Sequence, residues 1–485
     1  MARCVAVIDI EQTKVRSLIV SETGDILGHA IHEYPSSVPT PGAAEQNPEH
    51  WYGSAVHTMR QAVAMAGKNA EIIAVTVTNN PECLAPLDEM GRNLYPAILW
   101  GDARTSQGIE HFRTVFPQRH GLYKILLLRD YYADAFYRTF KFGTSLTYIT
   151  HKLCRRFAID ITNAPALGLD IKSTKWDESM LTQCGIPVEM LPEVFPPGTV
   201  VGALNTEAAR DLDLPENISV VLGGASPQCA AVGVGAIRDA TAKISLDYGM
   251  SIDVCVSEPL FDYFDKSTKM YMLPHAIEGK WLLEAFLPGT GLALRWFRDN
   301  CCSDVMQDAK RANRDPYEVM NVLAERVSPG ADGLLFIPFM MYGKGMFYNL
   351  DLNMKRNTLI RAIMEGTAYS ARFFLEMMQG LNTYATEVFI EGSGAKSKVW
   401  RQILADIIGR PVSLMHASTE AAALGAAVIT FSSLGVYEGV NRAADAMIEE
   451  IERTKPRAEF IDIYDRNYRK YQELLMMVGT DTGTI

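Results

Sequence analysis

Five short stretches of the chain hold residues whose types and spacing could do chemistry. The first is Gly392-Ser393-Gly394-Ala395, entered from an apolar run at 388–390 and followed at once by a helical pattern. Glycines there let backbone approach a flat ligand closely, and a helix start offers free N–H groups. Asp9 ends the apolar run 5–8, and Asp247 stands in the turn after a strand-like run, 242–246. Such aspartates ordinarily cap turns, but their oxygens also suit a hard divalent cation. Thr78-Asn79-Asn80-Pro81-Glu82-Cys83 follows another apolar run, 72–77. Asn79, Asn80 and Glu82 could bind ligand hydroxyls there, or simply form a polar turn. Ser226-Pro227 opens a small-residue helix, with the serine suited to the N-cap and the proline to the first helical position.

The elements that must position these residues alternate in a regular way. Strand-like runs at 5–8 and 15–20 precede a turn at Gly24-Asp25, and 26–30 continues as the hairpin's second arm. Residues 48–66 carry helical spacing through Trp51, Ala55, Met59 and Val63. Residues 72–77 and 94–99 read as further strands. The same order returns later: a strand at 217–222, a helix at 229–235, a strand pair at 242–246 and 252–256, then helices at 359–379 and 421–432. Hairpins followed by helix-linked strands predict mixed sheets with helices packed on them. Beyond residue 436 the chain reads as charged helix and tail, fraying from 479.

A chain of 485 residues exceeds what one core supports, so two domains of roughly 240 residues are expected. The boundary should fall within 237–241, giving domains 1–238 and 239–485. A net charge of −11 argues against nucleic acid and anionic membranes as partners. No run reaches the ~20 apolar residues of a membrane span, and the start turns acidic too soon for a signal peptide. Eight scattered cysteines, including the adjacent Cys301-Cys302, are expected as buried reduced thiols in a cytoplasmic protein. The nine histidines, His275 among them, show no metal-ligand spacing.

Several segments in order carry a resemblance. They are Leu87-Asp88-Glu89-Met90-Gly91, then Pro96-Ala97-Ile98-Leu99-Trp100-Gly101-Asp102-Ala103-Arg104. Gly330-Ala331-Asp332-Gly333-Leu334-Leu335-Phe336-Ile337-Pro338, the helix from Leu359 to Tyr369, and the Gly392–Ala395 loop follow. Together they resemble the FGGY carbohydrate kinases, nearest to xylulokinases by pattern, over most of residues 3–440. The resemblance implies two actin-like (ribonuclease H-like) α/β domains, each a mixed sheet flanked by helices. ATP with Mg2+ and a sugar or polyol would meet in the cleft between them. A homodimer is one assembly such a chain could form, and nothing in the sequence fixes it.

Phosphoryl transfer needs backbone to cradle phosphates, a divalent ion to neutralise them and a carboxylate to take the hydroxyl proton. The resemblance assigns Asp9 to the metal and to catalysis. It assigns Thr13, Asp247, Gly249, Gly392, Gly394, Ala395 and Lys396 to the nucleotide, and Asn79, Asn80, Glu82, Trp100 and Asp102 to the sugar. Trp100 could equally be core, and Asp102 with Arg104 a surface ion pair.

Four departures stand against these assignments. A family-like "D-x-G-T" loop reads Asp9-Ile10-Glu11-Gln12-Thr13, with Glu11 for glycine. A second, "S-L-G-T-S", reads Ser245-Leu246-Asp247-Tyr248-Gly249. The family's Asp base falls on Ser226, which cannot accept a proton at neutral pH, and the xylulokinase-like Met-His pair is missing near Glu82. The two readings are therefore a kinase with a displaced base, for which Glu11, Glu82 or Asp247 could stand in, and a pseudokinase that binds without efficient transfer. Lys243, a lone lysine in a strand before Asp247, is a further candidate cation for the phosphate side, but such a lysine ordinarily reads as a solvated edge residue.

Overall fold

The computed structural model describes every residue except 107–114, 117, 248, 288, 339–344 and 483–485. Two large mixed sheets dominate it. The first contains Ala2–Ile10 (β1), Lys14–Ser21 (β2), Ile26–Glu33 (β3), Ala70–Asn79 (β4), Val200–Ala203 (β5) and Ser219–Ala225 (β6). Their order is β5-β6-β4-β1-β2-β3, with β1, β4 and β6 parallel and the outer pairs antiparallel. The second contains Thr241–Ser245 (β7), Met250–Val256 (β8), Phe264–Asp265 (β9), Met270–Pro274 (β10), Trp281–Leu287 (β11), Glu387–Glu391 (β12), Val412–Met415 (β13) and Glu450–Thr454 (β14). Its order is β9-β10-β11-β8-β7-β12-β13-β14. Reading outward from β7 reproduces the first sheet: an antiparallel meander on one side, two parallel strands and an antiparallel edge on the other. The fold is thus the two-domain, actin-like α/β architecture expected.

β1 shows why the sheet needs two covering layers. Its alternate residues Cys4, Ala6 and Ile8 join Trp51, Ala55 and Met59 of helix Pro48–Ala66 (α1) in one core. Val5 and Val7 join Leu424, Ala427 and Val428 of helix Ala421–Ser433 in another. A strand buried on both faces reads as a continuous apolar run, as this one does. Asn47 caps α1 by accepting from Glu49 N at 3.1 Å, and the helix stops at Gly67 with φ +66°.

Helix Ser226–Gly233 (α2) and helix Ala421–Ser433 (α3) cross where the halves meet. A Cβ on Gly425 would lie 1.8 Å from Cys229 O, and one on Gly233 1.9 Å from Ala421 O. Only glycine permits that backbone approach.

Three readings of the sequence need correction. The strand over 94–99 shortens to Ala97–Ile98. The charged C-terminal stretch contains β14, an edge strand carrying Glu450, Glu452 and Arg453, charges that suit an edge. Helix Ile461–Thr482 runs through the first part of the segment expected to fray, and 483–485 lie outside the described residues. All eight cysteines are free; Cys301 is exposed, and six of the others are buried. Among the described residues, no helix is long and apolar enough to cross a membrane.

Candidate active site

The carboxyl ends of β1, β4 and β6 face those of β7 and β12, the usual place for ligands in open α/β sheets. Asp9, near the end of β1, is 3% exposed and accepts a hydrogen bond from Ser226 Oγ at 3.1 Å. Thr78 Oγ1 lies 3.4 Å from the same hydroxyl and donates to Gly224 O at 2.9 Å. Ser226 is therefore not the N-cap. Ala225 takes that place in extended conformation, and Ser226 is the first helical residue with its hydroxyl turned onto Asp9. The expected cap is displaced by one residue because a buried carboxylate competes for the hydroxyl.

Burial pushes the Asp9 carboxyl up to about 7, Glu11 adds to the rise, and Arg16 opposes it. Glu11, which replaces a glycine, pairs with Lys14 at 3.2 Å and Arg16 at 2.6 Å. Arg16 also donates to Thr419 O of the second half. The acidic replacement is thus neutralised locally, and Arg16 ties the two halves together. Thr13 is exposed at the tip of this turn.

A stability prediction follows from Asp9. Its folded-state pKa lies above the ordinary value, so the native state binds the extra proton between about pH 4 and 7. Stability is lost as pH rises through that window. Asp9→Asn removes the charged form and should stabilise the ligand-free chain at pH 8, by up to about 4 kcal/mol, with no gain at pH 4. Thermal melts at the two pH values check this; equal shifts at both would contradict it.

On the facing loop, Asp247 Oδ1 accepts from Ser393 Oγ at 2.8 Å, and Asp247 N donates to Gly249 O at 3.2 Å. Gly394 N donates to Leu246 O at 2.8 Å. Gly392 has φ +89°, and a Cβ on Gly394 would sit 2.8 Å from Leu246 O. The second phosphate-type loop and the glycine loop are therefore one bonded unit, and side chains there would force them apart. Ala395 is buried, Lys396 is exposed, and Gly249 packs against the Phe286 ring. Tyr248 lies outside the described residues.

Beside Asp9 is a shallow pocket open to solvent, lined in part by Glu11, Gln12, Asn80, Glu82, Trp100 and Ser145. Asn80 Oδ1 accepts from Glu82 N at 3.1 Å, fixing the turn. Trp100 meets Phe286 of β11 edge-on, with ring centroids 6.1 Å apart. Two expected sugar contacts do not reach the pocket. Asn79 is fully buried, its side-chain NH2 donating to Asn80 O at 3.0 Å and Ser145 Oγ at 3.1 Å. Asp102 is buried in an ion pair with Arg104 at 2.6 Å and accepts from Ala44 N at 2.9 Å. Arg104 also reaches Glu45 at 2.7 Å, so this is an interior network and not a surface pair.

Sequence reasoning missed one lysine and misplaced another. Lys124, in helix His120–Tyr131, has a side chain 2% exposed; it donates to Glu82 O at 2.7 Å and lies 4.0 Å from Glu82 Oε2. Its signal was a single charge inside an apolar helical run. Lys243 is not on a solvated edge: β7 is central, and the side chain is 1% exposed. It pairs with Asp253 at 2.8 Å, stands 3.9 Å from Glu391 and donates to Pro227 O at 3.2 Å in the first turn of α2. Burial holds Glu391 above the ordinary carboxylate range, and burial followed by Asp253 holds Glu284 well above it.

Comparison with known proteins matches residues 4–233 to the N-terminal domain, and 260–434 to the C-terminal domain, of the FGGY family of carbohydrate kinases. A gluconokinase of Bacillus subtilis (strain 168) is 26% identical over 464 residues, spanning 90% of this chain and 89% of that protein. A xylulose kinase of Staphylococcus xylosus is 24% identical over 497 residues, spanning 98% of each. The crystal structure of xylulose kinase from Rhodospirillum rubrum superposes with a TM-score of 0.86 at 23% identity, over 99% of this chain and 100% of that one.

Proposed function

The chain belongs to the FGGY family of carbohydrate kinases, and from that premise we propose that it transfers the γ-phosphoryl group of ATP to a hydroxyl of a sugar, polyol or sugar acid. The observation that supports this reading is the placement of Asp9 at the end of β1 beside the pocket that Glu11 and Glu82 line, with Arg16 of the same turn bonded to Thr419 of the second half. The family implies ATP and, typically, a divalent ion. The residues fit Mg2+ held largely by nucleotide oxygens: Asp9 is a buried carboxylate lacking an ion-pair partner within its own turn, and Asp247 lies on the facing loop. When bound, the ion would neutralise charge on the phosphates.

The protein's own residues divide the remaining work. Backbone at Gly392, Gly394 and Ala395, with Lys396, would seat the adenosine side, and Thr13 and Gly249 would approach phosphate. Asn80, Glu82 and Trp100 would orient the acceptor. Ser226 would stand at the base position, where its hydroxyl donates a hydrogen bond to Asp9 and is too weak a base to take a proton from substrate. The domains, taken as 1–238 and 239–485, would close over the cleft and exclude water.

That donating hydroxyl favours the second reading, a pseudokinase that binds sugar or nucleotide without efficient transfer. Losing a general base costs a factor of roughly 10²–10⁴, while positioning and electrostatics retain part of the rate. The test is ADP release by the full chain with Mg2+ and ATP across ketoses, polyols and sugar acids, alongside ATP binding by calorimetry. Acceptor-dependent release is expected of the kinase. Silence with ATP bound would leave the pseudokinase.

A further inference from the structure

The pocket beside Asp9 has a one-sided chemistry. Among the described residues its lining contains two carboxylates, Glu11 and Glu82, three side-chain amides and no lysine, arginine or histidine. Among the described residues, four cations around it are already engaged. Lys14 and Arg16 are held by Glu11, and Arg104 lies behind the wall between Asp102 and Glu45. Lys124 bonds to the Glu82 carbonyl, and its ammonium stands 4.0 Å from the Glu82 carboxylate, too far for a hydrogen bond.

Glu82 Oε2 consequently has no hydrogen-bond partner, although that oxygen is buried. A buried carboxylate oxygen in this state wants a donor. A ligand hydroxyl supplies one, whereas a ligand carboxylate brings a second negative charge. Of the amides, Gln46 is spent: it donates to Gln12 O at 2.5 Å and accepts from Trp51 Nε1 at 3.0 Å. Asn80 accepts from Glu82 N and keeps its NH2 for a ligand oxygen.

We propose that the pocket selects an uncharged polyhydroxy compound, a ketose or polyol, and rejects sugar acids, with Glu82 as the specificity-determining residue. This rests on the reading of the pocket as the acceptor site, and it narrows the three acceptor classes of that reading to two. Specificity here comes from a repulsive element as much as from an attractive one.

The experiment is titration calorimetry of the full chain with pentitols, hexitols and pentuloses, each set against the matching aldonates, including gluconate. At least one neutral compound should bind, and its aldonate should bind at least roughly 100-fold more weakly, since like charges in a binding site are strongly disfavoured. In Glu82→Gln, which keeps the shape and the backbone carbonyl bonded to Lys124, that gap should shrink to within about tenfold. A second measurement needs no variant: raising salt from 20 to 500 mM should improve aldonate binding relative to neutral binding in the unaltered chain. Aldonates binding as tightly as neutral compounds would overturn the proposal, as would binding by none of them, or a gap unchanged in Glu82→Gln. Because binding is read without turnover, neutral ligands bound with no ADP release would sink the kinase reading and leave this one standing. Aldonate-dependent ADP release would do the reverse.

Discussion

Ser226→Asp is expected to raise acceptor-dependent ADP release by roughly 10²-fold. Position 226 is the first residue of α2, where the helix N-terminus favours a carboxylate. The serine hydroxyl already points into the cleft, 3.1 Å from Asp9 Oδ1. An aspartate there can take the proton that serine cannot. It also places two carboxylates side by side beside a group whose proton affinity burial has already raised. The variant should therefore melt earlier than the parent without Mg2+ and recover with it, because a divalent ion offsets the repulsion. Steady-state ADP release and paired melts check both halves of the expectation. A folded variant with unchanged turnover would mean that Glu11 and Asp247 disable the phosphate loops independently of the base.

Lys243→Met should cost about 3–5 kcal/mol of stability, the usual result of removing one partner from a buried ion pair. The lysine is the cation facing Asp253 and Glu391, and it is also the donor to Pro227 O. Its loss strands Asp253, whose Oδ1 already lacks a hydrogen-bond partner. The penalty should depend on pH with a definite sign. Glu284 and Glu391 have folded-state pKa values above their unfolded ones. The native state therefore binds extra protons above the ordinary carboxylate value, and stability falls as pH rises through that range. Removing the lysine extends the range upward, so denaturant midpoints should differ more between variant and parent at pH 8 than at pH 5. Replacing Asp253 as well, by leucine, should recover much of the loss, as apolar substitutes for whole buried ion pairs often do. An equal penalty at both pH values would argue that the lysine acts through packing alone.

What the sequence disclosed was local. The Gly392–Ala395 loop and the strand ending at Asp9 were legible because glycine freedom and apolar runs are properties of short stretches. Lys243 was misread because nothing within β7 states that β8 and β12 flank it; a strand's place in its sheet is decided by partners far along the chain. Asp102 was misjudged for the same reason, since Glu45, which shares its arginine, lies 57 residues upstream. Ser226 was placed on the right element with the wrong role. Pro227 marked the helix start to within one residue, but the bond to Asp9 crosses 217 residues of chain. The strand at Glu450–Thr454 hid behind its charges, which suit an exposed edge as well as a helix.

The ring contact between Trp100 and Phe286 joins a loop of the first half to a strand of the second. An indole in such a place senses the distance between two bodies. Any rotation of one sheet against the other changes the polarity around Trp100, and with it the colour and intensity of its emission. Emission from Trp100 would therefore report such a rotation from the wall of the pocket itself.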